Sequence, residues 1–78
     1  MTIALNMAGG ISIIIFDKLW ETMREKGVST YTLREKYNID TRTIRRLKAN
    51  ENITAGTLNT LCTILDCRLE DIAEYVKD

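Results

Sequence analysis

Residues 29–54 read STYTLREKYNIDTRTIRRLKANENIT, and this stretch decides the fold. Ser29 is placed to cap a helix, because its hydroxyl can accept from the free amides of the turn that follows it. The helix over 30–37 has Leu33 and Tyr37 as its expected inward face. Asn38, one of the few non-glycine residues that tolerate the left-handed conformation, stands where that helix must stop, with Ile39 as the apolar residue of the turn. Asp40 then offers a second N-cap, so the next helix starts at Thr41 and runs over 41–49. Only Ile44 and Leu47 on it are expected to face inward, three residues apart. They fix which side is buried and turn Thr41, Arg42, Thr43, Arg45, Arg46 and Lys48 elsewhere.

Outward from this pair, the apolar period stays helical. Phe16, Leu19, Trp20 and Met23 form one stripe of a helix over 16–26, with Trp20 as a core residue. Gly27 sits at its left-handed cap and Val28 folds back on the helix end. After the break at Asn50, Glu51 and Asn52, Ile53 and Thr54 read as the N′ and N-cap of a helix over 55–65, with Ile53 stapled to Leu58. Its stripe is Leu58, Leu61, Cys62 and Leu65. Leu69, Ile72, Ala73 and Val76 predict a fifth helix over 69–77, with Glu70 and Asp71 in its first turn, where the helix dipole favours acids. The expectation is an all-α fold of five helices over 16–78 as one domain, with no repeats and no linker.

Composition agrees with a small helical domain. Seventy-eight residues with 45% hydrophobic and 28% charged side chains, no Pro and four Gly describe a chain that folds and leaves most of its length free to be helical. The exception is the arm over 1–15. Its MTIALNMAGGISIII is apolar, but it lacks a basic leading region and NMAGG interrupts it, so neither a signal peptide nor a membrane span is expected. Within it, ISIII at Ile11–Ile15 is β-branched and short, a strand or extended arm that needs a partner to cover it. Cys62 and Cys67 are too few for a disulfide scaffold, and with no His in the chain no zinc site can be completed. We expect no metal, no cofactor, reduced thiols and a cytoplasmic protein.

Two short helices joined by Asn38-Ile39-Asp40 have the spacing of a helix-turn-helix. In that arrangement the first helix crosses the DNA backbone and the second enters the major groove. The stretch STYTLREKYNIDTRTIRRLKANENIT resembles the Cro/repressor-type (XRE-like) helix-turn-helix family, and the resemblance extends over roughly Phe16 to Val76. The residues that carry it are Leu33 in the first helix, Asn38 and Ile39 in the turn, and Ile44 and Leu47 in the second. The sequence departs from the family at Asn38, where Gly is usual, and at Arg34, where a small residue is usual and a long side chain must reach outward. The resemblance implies a five-helix, lambda-repressor-like DNA-binding domain, preceded here by the N-terminal arm.

Carried over by position, the residues implied to meet bases are Thr41, Arg42, Thr43 and Arg46. Arg42 and Arg46 lie one turn apart and suit the paired acceptors of guanine. The residues implied to meet phosphates are Thr30, Arg45, Lys48, Asn50, Asn52 and Thr54. A basic run is by itself an ordinary solvated face. Here acids are absent between Thr41 and Asn50, so the run has no ion pair within its own helix. From Arg34 to Lys48 six basic residues face two acids, a net +4, whereas Asp66 to Asp78 carries five acids and two basics, a net −3. The neutral total conceals a polarised molecule. That suits contact with double-stranded DNA by one face.

Without His, and with acids scattered over helix faces, no acid–base or nucleophilic set can be assembled, so a non-enzyme is expected. The leading expectation is a sequence-specific, double-stranded DNA-binding transcriptional regulator acting as a homodimer. The alternative is a protein-interaction module or antitoxin-like protein on the same fold, whose partner would be a protein bound through Ile11–Ile15.

Overall fold

The computed structural model describes residues 12–77. Strand β1 (Ser12–Ile15) leads directly into helix α1 (Asp17–Lys26), followed by α2 (Thr30–Tyr37), α3 (Thr41–Lys48) and α4 (Ala55–Leu65). A single 3-10 turn at Leu69–Asp71 then delivers the chain to strand β2 (Glu74–Lys77). The strands pair antiparallel, with Ser12 opposite Lys77, Ile13 opposite Val76, Ile14 opposite Tyr75 and Ile15 opposite Glu74.

The helix ends follow local chemistry. Gly27 closes α1 at φ 71°, and Val28 donates its N–H to the Met23 carbonyl at 2.9 Å. Ser29 Oγ accepts from the Thr32 amide at 3.1 Å, and Asn38 ends α2 at φ 57°. Asp40 Oδ1 accepts from the Arg42 amide at 2.7 Å. Thr54 Oγ1 accepts from the Thr57 amide at 3.2 Å and so caps α4. Each of these residues has the side chain or the φ that the adjoining helix end requires.

The core is built from one to three residues of each helix and one from the segment that follows them. Phe16, Leu19 and Met23 come from the start and inner face of α1, Leu33 from α2, Ile44 and Leu47 from α3, Leu61 and Leu65 from α4, and Ile72 from the segment after the 3-10 turn. Trp20, Val28, Ile39, Ile53, Leu58 and Cys62 pack around it, half-buried. Tyr37, expected to face inward, is exposed instead. Leu33 alone fills the inward position of this two-turn helix, and Lys36 lies over the Tyr37 ring at 5.6 Å.

The expected fifth helix over 69–77 is not formed. Leu69, Ile72, Ala73 and Val76 have helical spacing, yet only Ile72 is fully buried, whereas Leu69 is 53% and Val76 38% exposed. The competing interaction lies at the other end of the chain. β1 has three β-branched residues, Ile13, Ile14 and Ile15, and its backbone groups need a ladder partner, which Glu74–Lys77 supplies. Among the described residues the fold is therefore four α-helices and a short two-stranded sheet. Thr22, buried in α1, stabilises the non-helical route by donating its hydroxyl to the Asp71 carbonyl. Among the described residues, no helix is long and apolar enough to cross a membrane.

Because the core is so small, each member carries a large share of stability. Leu61→Ala, at a fully buried position, is expected to lower unfolding free energy by about 2–5 kcal/mol, measured by urea denaturation. That is much of the total for a domain of this size.

Candidate nucleic-acid interface

Helix α3 is held to the body by Ile44 and Leu47, which are 5% and 0% exposed. Their burial sets its rotation. Thr41, Arg42, Arg45, Arg46 and Lys48 are consequently exposed, and Thr43 is half-buried beside them. Asp40, the nearest acid before the helix, binds the backbone amide of Arg42, so its carboxylate serves the cap. Among the described residues the one ion pair joins Arg68 and Glu70 at 3.6 Å, far along the chain in the 3-10 turn. The four cations of α3 thus present their charge outward without an ion-pair partner among the described residues.

The structure brings Thr30, at the head of α2, onto the half-buried border of its helix. Asn52 and Arg46 line one open depression together with Glu51. Glu51 also donates its backbone N–H to the Arg46 carbonyl at 2.9 Å, which keeps a carboxylate close to the basic helix. Thr54 is committed to capping: its hydroxyl accepts from the Thr57 amide and donates to Thr57 Oγ1 at 3.0 Å. Arg34, where a small residue was expected, turns outward over the Tyr31 ring at 5.9 Å, so the approach of α2 to α3 is left open.

Asn50 has a role that the sequence does not announce. It holds φ 56°, and its Oδ1 accepts from the Phe16 amide at 2.8 Å, across 34 positions of sequence. This bond ties the end of α3 to the junction of β1 and α1. Its Asn type and its place after a helix signal the left-handed conformation, but nothing local signals the distant donor. Elsewhere, burial pushes the Cys67 thiol above its ordinary value, with the neighbouring Cys62 acting in the same sense, so the thiol form dominates at neutral pH.

With two short helices at the right spacing and a basic second helix without an ion pair among the described residues, the geometry is that of a helix-turn-helix. The chain belongs to the Cro/C1-type helix-turn-helix DNA-binding domain family, whose sequence model matches residues 18–78. Among solved structures it is similar to the crystal structure of the transcriptional regulator VanUg. The two share 26% identity over 99% of this chain and 100% of that one, with a TM-score of 0.78. No curated protein sequence matches.

Substitutions at Asn50 separate its two contributions. Asn50→Gly keeps the positive φ and loses the bond to Phe16, with an expected cost of about 1 kcal/mol. Asn50→Ala adds left-handed strain and is expected to cost about 2 kcal/mol or more, both read from chemical denaturation.

Proposed function

We propose that this protein is a sequence-specific DNA-binding transcriptional regulator that acts as a homodimer in the cytoplasm, with α3 lying in the major groove of each half-site. The observation that carries the proposal is the basic face of α3, rotated outward by Ile44 and Leu47 and free of acidic partners among the described residues. The family of the chain and its likeness to a transcriptional regulator support the same reading.

Roles follow from position along α3. Arg42 and Arg46 meet guanine O6 and N7, while Thr41 and Thr43 offer a hydroxyl to the backbone or a methyl to thymine. Arg45 and Lys48 flank them and neutralise phosphates, as Thr30 does from the head of α2. Asn52 takes phosphate beside Arg46 in the depression they share. With its Oδ1 engaged by Phe16, Asn50 has its amide protons left for phosphate and works chiefly by fixing the end of α3. Thr54 presents the head of α4 to the backbone by capping it.

The second reading, a protein-interaction or antitoxin-like module, has a specific observation behind it. Ile13, Ile14, Tyr75 and Val76 expose apolar surface on the strand pair. A regulator and an interaction module differ in their response to salt. Binding to duplex DNA is expected to weaken steeply as salt rises, with log K falling roughly 0.9 per phosphate neutralised. Lys48→Ala lowers affinity for all sequences and reduces that slope by about one. Arg42→Ala relaxes base preference at one position, by about 1–3 kcal/mol of discrimination. Fluorescence anisotropy with a duplex selected from a random pool reads all three. No binding at low salt, or binding indifferent to salt, contradicts the proposal.

A further inference from the structure

We infer that Cys62 and Cys67 are a redox pair, which a small disulfide such as glutathione disulfide closes into an intrachain bond that clamps the end of α4 to the segment running into β2. Neither cysteine lies on α2 or α3, so the inference stands apart from the DNA reading.

The turn after α4 brings the two residues together. The helix ends at Asp66, which holds the left-handed conformation at φ 51°. This reversal lets the Cys67 amide donate to the Cys62 carbonyl at 3.1 Å, and the Asp66 amide to the Thr63 carbonyl at 3.3 Å. Those two bonds make a Schellman motif, in which the residues joined by the longer link commonly pack their side chains on each other. Here both residues of that link are cysteines, and their thiols share a hydrogen bond. Both are free and half-buried against the rim of the core, so a small oxidant can reach them from solvent.

The surroundings decide which chemistry the pair supports. Burial, then Cys62 and Asp71, disfavour the Cys67 thiolate, and Lys26 acts in the opposite sense. A soft metal ion would need both thiolates side by side, and this setting opposes that. A disulfide is uncharged and needs one thiolate at a time. In the first step the thiolate of one cysteine attacks a sulfur of glutathione disulfide, and a glutathione thiolate leaves. The thiolate of the other cysteine then attacks the protein sulfur of the mixed disulfide and displaces the second glutathione. Two protein thiols are oxidised, and one glutathione disulfide is reduced to two glutathione thiols, which take up the two protons released. Because burial holds the thiols protonated, the resting state is the dithiol. Closure quickens about tenfold per pH unit until the attacking thiol titrates.

The place of the bond gives it an effect. Just beyond Cys67, the Arg68 amide donates to Asp71 Oδ2 at 3.0 Å, and the Asp71 carbonyl accepts from the Thr22 hydroxyl. Ile72 then enters the core and Glu74–Lys77 pairs with β1. A covalent link from α4 to the head of this segment suppresses openings in which the segment and β2 detach from the helices. The pair is thus a latch on stability that responds to the thiol–disulfide balance around the protein.

The test is to incubate the full chain with glutathione disulfide at pH 7 and pH 8. Intact mass and peptide mapping then read the product, and thermal unfolding is followed by circular dichroism with and without dithiothreitol. The protein is expected to lose two hydrogen atoms, to retain no glutathione and to contain one Cys62–Cys67 bond, formed faster at pH 8. Its melting temperature is expected to rise by about 5 °C or more, and dithiothreitol to return it to the starting value. Cys67→Ser is expected to retain one glutathione and to show no such rise.

A wild-type protein that retains glutathione, or that links between chains, overturns the inference. So does an intrachain bond that leaves the melting temperature unchanged or lowers it. The deciding comparison is of the wild-type protein in its two states, so it does not depend on the folding of the variant.

Discussion

The burial of Ile44 and Leu47 is the constraint on which the rest depends. A helix of eight residues in water is marginal on its own, and α3 has only these two aliphatic side chains to hold it. Their three-residue spacing leaves no freedom of rotation: once both are in the core, the four cations must point to solvent. Asp40 sets where the helix begins, and Asn50 sets where it ends by accepting from Phe16. Helix α3 is therefore fixed by tertiary contacts and caps at both ends, while its outward face stays exposed to solvent.

That outward face is costly to leave unpaired in a folded chain of zero net charge, because like charges on adjoining turns repel. Elsewhere Arg68 pairs with Glu70, and Lys36 and Arg34 lie over tyrosine rings. Among the described residues the cations of α3 have no such arrangement, and Glu51 lines the depression beside Arg46. A surface that retains uncompensated positive charge is suited to a polyanion, whose bound counterions are released on contact. The acids at Glu70, Asp71 and Glu74 lie on other elements and disfavour a reversed approach.

Much of this was legible in the sequence because it is local. The caps at Gly27, Ser29, Asn38, Asp40 and Thr54 each depend on one residue and the turn beside it, and the structure has all of them. The apolar stripes of α1 and α4 are similarly local. What was not legible depends on residues distant in sequence. The segment after Asp71 has a period compatible with a helix, but β1 at the other end of the chain draws Glu74–Lys77 into a strand. Asn50 reads as a helix terminator, and its donor lies 34 residues away. Tyr37 fails for a different reason: the inward side of a two-turn helix has room for Leu33 and no more.

The central claim, that α3 is the surface that meets DNA, is tested most directly by nuclear magnetic resonance. Backbone amide shifts of the full chain are followed as a short duplex is added. The account predicts that the largest changes fall on Thr41–Lys48, with smaller ones at Thr30 and from Asn52 to Gly56, and that Glu70–Lys77 is little affected. Changes concentrated on the strand pair or on residues 66–77, with α3 unmoved, would contradict it.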